Sequence, residues 1–336
     1  MIRKKDTLKM KILRILEQCK GQTLSGEKLA AEAGVSRAAV WKAVESLRKD
    51  GYSIAAKTNK GYVLAEGSDF LSAQAMLPFI NKDLYPYGEK NIFTYRLLES
   101  TNKTAKQKVI EGAVNGTVIL AEEQSGGRGR MGRTFFSPAN KGLYMSFILK
   151  PDFNVDKALL ITAATAVAVC RAVRNMGGPE MQIKWVNDIF AKGRKVCGIL
   201  TEAITNFESG RIDAIIIGIG VNCSLQNEEM PDEIRDTAGA LSEITSRNRL
   251  AAEIINELMG IIAEFAGDKP YPEYIDEYRR RSMILRKDIK VYKNVASDEY
   301  VNAKAIDISD EGGLIVIYEN GVKETLNSGE ISIRLR

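Results

Sequence analysis

The chain has 336 residues, of which 45% are hydrophobic and 27% charged, the proportions of a soluble globular protein with two or three domains. It contains no histidine, which excludes serine–histidine–aspartate triads, cysteine–histidine dyads and most zinc sites. Its four scattered cysteines (Cys19, Cys170, Cys197, Cys223), the lack of a membrane-length apolar run and the lack of an apolar stretch behind the basic start point to a reduced, cytoplasmic setting.

The net charge of +5 is unevenly spread: residues 1–66 hold 14 Lys/Arg against 7 Asp/Glu, whereas the remainder is net −2. A polyanion partner is therefore expected for the first segment alone. In it, Leu8, Ile12, Ile15, Leu16 and Cys19 recur at helical spacing. Ser25 is the expected N-cap of a second helix ending at Gly34, and Ser36 caps a third with Val40, Val44 and Leu47 as its buried stripe. The link Ala33-Gly34-Val35-Ser36 makes the second and third helices a helix-turn-helix. The third would present Ser36, Arg37, Ala38, Trp41 and Lys42 to a major groove. Tyr52 to Leu64 alternates and turns at Asn59-Lys60-Gly61, a β-hairpin wing whose Lys57 and Lys60 would meet phosphates. A small protein-interaction module is the plainer alternative; the basic excess and the wing favour DNA.

Beyond about Ser68 the signals alternate between helix and strand. A helix from Asn102 to Ile110 and a strand over 118–123 precede Gln124-Ser-Gly-Gly-Arg-Gly-Arg-Met-Gly-Arg133. Gly127 to Gly132 formally matches G-x-G-x-x-G. The dinucleotide reading fails because no helix starts at these glycines: Pro138 breaks the chain and a strand, Gly142 to Leu149, follows. Instead, Arg128, Arg130 and Arg133 put permanent cations on one flexible loop, suited to a polyanion such as phosphate. Asp156 to Met176 reads as a long helix buried beneath a sheet. Met181 to Glu202 reads as a hairpin turning at Lys192-Gly193. Lys184 lies inside an alternating apolar strand, where its cation needs either a partner, Asp188 or Glu202, or a function. A strand over 212–219 leads to Asn222 at its end, and helices follow at Arg249–Ala266 and about Tyr271–Arg281. From Lys287 onward, five short strands with turns at Gly312-Gly313 and Asn320-Gly321 suggest a small SH3-like barrel.

In this order, Gly127-Arg-Gly-Arg-Met-Gly-Arg133, Lys184-Trp-Val-Asn-Asp188, Lys195-Val-Cys-Gly-Ile-Leu-Thr-Glu202 and Gly329-Glu-Ile-Ser332 resemble the bifunctional biotin–protein ligases that repress biotin operons. The resemblance spans almost the whole chain. It implies an α+β multidomain protein: a winged helix-turn-helix (1–66), a mixed α/β catalytic domain of the class II synthetase-like biotin/lipoate ligase type (67–284) and a C-terminal SH3-like β-barrel (285–336). It further implies biotin contacts at Ser100, Thr101, Asn102, Gln124, Arg128, Arg130 and Lys184, and an adenylate site of Gly127, Arg128, Gly129, Arg130, Arg133, Asn187 and Asn222. Lys184, Arg130 and Arg133 are the implied catalytic residues, and no metal ligands are assigned. The implied substrates are biotin and ATP with Mg2+. The implied partners are a biotin carboxyl carrier protein, which accepts biotin on a lysine, operator DNA and a second copy in a ligand-promoted homodimer. Val186 stands where the family has proline, Phe135 where tryptophan is frequent, and Gly126 where alanine or lysine is more usual. A biotin-sensing repressor without chemistry and a lipoate ligase are the competing readings; the intact loop arginines and Lys184 weigh against the first, and the winged helix with the loop against the second.

Overall fold

The computed structural model describes residues 7–57, 60–150, 158–205, 212–264, 273–292, 299–327 and 332–335. The wing-turn Asn59, the helix start expected at Asp156, the helix ends expected at Ala266 and Tyr271, and residues 329–331 of the last motif lie outside them.

Three helices, α1 (Leu8–Gln18), α2 (Gly26–Ala33) and α3 (Arg37–Lys49), pack with a hairpin of β1 (Ile54–Lys57) and β2 (Gly61–Leu64). Ser25 Oγ accepts from Lys28 N–H at 3.0 Å and Ser36 Oγ from Ala39 N–H at 3.2 Å, so each hydroxyl closes an open helix start. Gly34 ends α2 at φ 70°, a left-handed conformation that glycine adopts without penalty. Ile12, Leu13, Leu16, Leu29, Val40, Val44 and Leu47 form a core separate from that of the remaining chain. Each such side chain contributes about 1.5–3 kcal/mol by leaving water.

The segment to the next domain carries the single-turn helix α4 (Ala73–Met76). Then come β3 (Ile92–Leu98), α5 (Thr101–Ile110), β4 (Thr117–Gln124), β5 (Gly142–Leu149), α6 (Ala158–Asn175), β6 (Gln182–Lys184), β7 (Asp188–Ala191), β8 (Arg194–Thr205) and β9 (Ile212–Asn222). The short α7 (Asp232–Arg235), α8 (Arg247–Glu264) and α9 (Tyr274–Arg281) complete this part. The strands form one mixed sheet in the order β3-β4-β5-β9-β8-β7-β6, parallel at β3–β4 and antiparallel elsewhere. The apolar α6 is buried among sheet, α8 and α9, which explains why its sequence shows no polar stripe. β3, the outer strand, was not legible in the sequence.

The expected hairpin over 181–202 is corrected in one respect. The first strand stops at Lys184, and β6 and β7 pair tightly, Lys184 opposite Asp188. Lys184 is thus a strand-end residue at a turn, not one inside a long strand.

β10 (Asp288–Tyr292), β11 (Val301–Ile308), β12 (Leu314–Tyr318), β13 (Lys323–Leu326) and β14 (Ser332–Leu335) form a five-stranded antiparallel sheet, β13-β12-β11-β10-β14. Its inner residues Ile289, Val291, Ala305, Ile308 and Val316 share one continuous core with the seven-stranded sheet. Trp185 Nε1–H donates to Gly312 O at 3.0 Å, and Arg279 Nε–H to Ile308 O at 2.8 Å. The last unit therefore rests directly behind the Lys184 turn.

Candidate active site

A cavity of about 540 Å3 opens on the sheet where β4, β6, β7, β8 and β9 converge with the start of α5 and the loop after β4. That is the size of a small-molecule site. At one end, Thr101 N–H donates to Gln124 Oε1 at 2.8 Å, and Gln124 Nε2 donates to Ser137 Oγ at 2.9 Å. The Ser146 hydroxyl lies 2.8 Å from Thr101 Oγ1 and 2.6 Å from Asn102 Oδ1. Asn102 Nδ2 donates to Glu202 Oε2 at 2.8 Å, and Lys106 also holds Glu202 at 2.6 Å. This end is neutral toward the cavity and its side chains are fixed before any ligand enters. Ser100, Thr101, Asn102 and Gln124 all line it.

Glycines clear the floor. A Cβ on Gly218 would fall 2.3 Å from Asn102 Oδ1, and one on Gly220 would fall 2.5 Å from the Phe135 ring. Gly198 pairs with Gly220 across β8 and β9, so the ring lies on bare backbone. Phe135 thus occupies the position of the frequent tryptophan as part of the floor. The sequence signal for this was available: glycines alternating in an otherwise isoleucine-rich strand mark a close approach.

The cationic loop folds back on itself as a hairpin in this structure. Phe135 N–H donates to Gly127 O at 2.9 Å and Gly129 N–H to Arg133 O at 2.7 Å. Gly127 itself is buried beneath the loop, where a Cβ would meet Phe135 O at 2.4 Å; of the expected ligand residues it alone does not line the cavity among those described. Arg128, Gly129, Arg130 and Arg133 do. Arg128 is exposed and 3.7 Å from Glu99, while Arg130 Nη1–H donates to Asn187 Oδ1 at 2.7 Å. Burial pulls the Arg130 pKa down and Arg133 adds to that, with Asp188 opposing.

Lys184 lines the cavity beside this loop. Of the two carboxylates considered for it, Asp188 lies opposite Lys184 across the β6–β7 turn and is also bridged by Lys195 at 2.7 Å, and Glu202 is bridged by Lys106 at 2.6 Å. Its neighbours are anchored on several sides. Trp185 is tied to Gly312, the Val186 carbonyl accepts from Tyr278 Oη–H at 3.0 Å, and Asn187 Nδ2 donates to Ile199 O at 2.9 Å. Val186 keeps the backbone carbonyl that Tyr278 uses. At the far end, Asn222 lines the cavity with its Nδ2 donating to Gly239 O at 2.9 Å. Phe136, Leu225, Ile234 and Ala238 form an apolar wall there, which the sequence reading missed because the residues are far apart in the chain.

On the N-terminal head, Ser36 at the N-cap and Arg37, Ala38, Trp41 and Lys42 on α3 are all solvent-exposed, as are Lys57 and Lys60 on the hairpin. Ser36 serves as the helix cap, so its hydroxyl already has a structural task.

A helix-turn-helix domain model matches residues 9–63, the biotin/lipoate A/B protein ligase family model matches 94–222, and a biotin protein ligase C-terminal domain model matches 294–334. The bifunctional ligase/repressor BirA of Bacillus subtilis is 32% identical over 325 residues, 95% of this chain and 97% of that protein. The chain belongs to the biotin protein ligase family. The Escherichia coli BirA is 27% identical over 333 residues, 98% of each chain. A biotin protein ligase from Aquifex aeolicus, solved with biotin and ATP, superposes with a TM-score of 0.62 at 27% identity, covering 74% of this chain and 100% of that one. In family terms, the neutral end, the cationic loop and the apolar wall are three chemically distinct parts of one cavity. Among the described residues no helix is long and apolar enough to cross a membrane, and no cluster of acidic or cysteine side chains has the makings of a metal site.

Proposed function

We infer that the chain is an ATP-dependent biotin–protein ligase that doubles as a biotin-responsive repressor, working in the cytoplasm. The observation that carries the enzymatic half is one cavity with a fixed polar end, Arg130, Arg133 and Lys184 in the middle, and an apolar wall at the other end. Biotin enters the polar end against Ser100, Thr101, Asn102 and Gln124, with its carboxylate toward Lys184. The adenosine lies toward Asn187, Asn222 and the apolar wall. ATP arrives as its magnesium complex, the metal being part of the substrate.

The carboxylate oxygen attacks the α-phosphorus, a P–O bond forms, and the bond to the leaving pyrophosphate breaks. Two anions must approach, so the barrier is largely repulsion and orientation. Lys184, Arg130 and Arg133 lower it by setting positive charge where negative charge gathers. No general base is required, because the carboxylate is already ionised; a chain without histidine is therefore adequate. The amine of an acceptor lysine on a biotin carboxyl carrier domain then attacks the acyl carbon and AMP departs. The loop 127–133, closed over the mixed anhydride, keeps water from it.

The head supplies the second activity through Arg37, Ala38, Trp41 and Lys42 in a major groove, with Lys57 and Lys60 on flanking phosphates. Homodimerisation promoted by the adenylate would pair two heads on operator half-sites. Purified protein with biotin, ATP, magnesium and an apo carrier domain is expected to add one biotinyl mass to the carrier, read by intact mass spectrometry. An unmodified carrier would remove the ligase reading. Footprinting and sedimentation with and without biotin and ATP test the repressor half, and identical operator affinity and mass in both conditions would sink the coupling.

A further inference from the structure

Behind the polar end of the cavity stands a layer of side chains that does not line it. Asn102 lines the cavity, whereas Glu202, Lys106 and Ser146 do not. Asn102 is 6% exposed and enclosed by Ser146 on β5, Glu202 on β8 and the bare backbone of Gly218 on β9. Its Nδ2 faces two groups that only accept, the Glu202 carboxylate at 2.8 Å and the Leu200 carbonyl at 3.2 Å. The amide is therefore oriented by its partners, nitrogen toward β8 and oxygen toward Ser146.

That orientation passes along the wall. The Ser146 hydroxyl has one proton for two neighbours, Asn102 Oδ1 at 2.6 Å and Thr101 Oγ1 at 2.8 Å. An amide oxygen only accepts, so the proton goes to Asn102 and the Thr101 hydroxyl supplies the other bond. Asn102, Ser146 and Thr101 thus each have one hydrogen-bonding sense, set from β8 by Glu202 and Leu200. The two oxygens of Glu202 have separate tasks: Oε2 holds Asn102, and Oε1 holds Lys106 of α5 at 2.6 Å. Lys106 and Glu202 are 43% and 31% exposed, and ion pairs so open to solvent contribute little to stability. The bond to the buried amide is the more consequential of the two.

We propose that Glu202 is a positioning residue for biotin. Without touching the ligand, it holds the Asn102 amide, and through Ser146 the Thr101 hydroxyl, in a fixed hydrogen-bonding sense before biotin enters. The proposal rests on reading the polar end of the cavity as the biotin site. The competing role is a surface salt bridge with Lys106 that merely pins α5 to β8.

The two roles separate by which variants lose biotin. If only the salt bridge matters, Lys106→Met, Glu202→Met and Glu202→Gln all break it and act alike. If Glu202 positions Asn102, Glu202→Met raises the biotin dissociation constant by roughly ten-fold, because the amide loses its closer acceptor and can turn. Glu202→Gln keeps an acceptor oxygen for Asn102 Nδ2 and restores most of the affinity. Lys106→Met leaves the Asn102–Glu202 bond in place and binds biotin like the wild type. Ser146→Ala breaks the same relay one bond further on while leaving the ion pair whole, and carries the test if Glu202→Met does not fold. The measurement is calorimetric titration of the full chain with biotin in the absence of nucleotide, with thermal melts confirming that each variant folds. The KM for ATP at saturating biotin is expected to stay at the wild-type value in all four. Unchanged biotin affinity in Glu202→Met or in Ser146→Ala, or equal losses in Glu202→Met and Lys106→Met, overturns the proposal while leaving the ligase intact. A wild type that binds no biotin overturns the reading of the polar end itself, and this proposal with it.

Discussion

Two arginines differ in what surrounds them, Arg247 buried among carboxylates and Arg130 half-buried beside an amide. Arg247, at the start of α8, is 6% exposed and holds Glu122 at 2.7 Å and Asp69 at 2.9 Å. Its Nη2–H also donates to Asp69 O at 2.6 Å. Burial works to lower its pKa, but Glu122 and then Asp69 outweigh that and hold it above the usual arginine value. Arg130 is bonded through Nη1 to a neutral amide, Asn187, and there burial prevails and the pKa is depressed. The charged form is thus favoured at Arg247 and disfavoured at Arg130. The first is complete as it stands, locking the interdomain segment at Asp69 onto β4. At the second, partial burial and the neighbouring Arg133 act against the charge, with Asp188 opposing them.

The largest expected effect follows from that completeness. Arg247→Met leaves the buried Glu122 and the half-buried Asp69 without their cation and should destabilise the protein by about 3–5 kcal/mol in urea unfolding. Adding Glu122→Gln and Asp69→Asn should recover most of the loss. A single variant as stable as the wild type would mean that the lock carries no weight. Arg130→Met should do the reverse, slowing single-turnover adenylation by about 10^2–10^3-fold with the melting temperature unchanged or raised. Full activity in that variant would end the comparison.

The head and the loop were legible in the sequence because their signals are local. Ser25, Gly34 and Ser36 punctuate the helix-turn-helix within a dozen residues, and the arginines of the loop are spaced by glycines. The lock at Arg247 was not, since it joins residues 178 apart whose charges look like any surface charges in the sequence. The same holds for the wall of Phe136, Leu225, Ile234 and Ala238, assembled from segments with no shared periodicity. Lys184 lay between these cases. Its motif pointed to the site, but alternation ran on through Trp185 and Val186 and hid the turn that sets the lysine at a strand end.

Asn187→Asp converts one arginine toward the other, giving Arg130 a permanent carboxylate in place of an amide. The ligand must then displace a charge-assisted bond, and adenylation should slow by roughly ten-fold, about 1.4 kcal/mol on the barrier. Unchanged single-turnover rates would show that the neutrality of Asn187 does not matter. Biotin affinity without nucleotide serves as the control, since the polar end of the cavity is untouched.

The smallest effect lies at the joint between head and body, where the compensation at Arg247 does not extend to every carboxylate. Glu17 on α1 has a side chain only 5% exposed, with Lys20 at 3.6 Å. Burial raises its pKa above the ordinary 4.5, Lys20 opposes, and Asp69 pushes in the same direction as burial. A carboxyl with a raised folded-state pKa binds more protons folded than unfolded, so its stabilising contribution is present below pH 4.5 and is lost as the pH rises through the folded value. At neutral pH the penalty is complete. Glu17→Gln removes the ionisation, so the variant should melt above the wild type at pH 7, and the gap should close as the pH falls toward 4.5. A gap that instead widens on acidification would mean that Lys20 outweighs burial and that Glu17 stabilises the fold as a carboxylate.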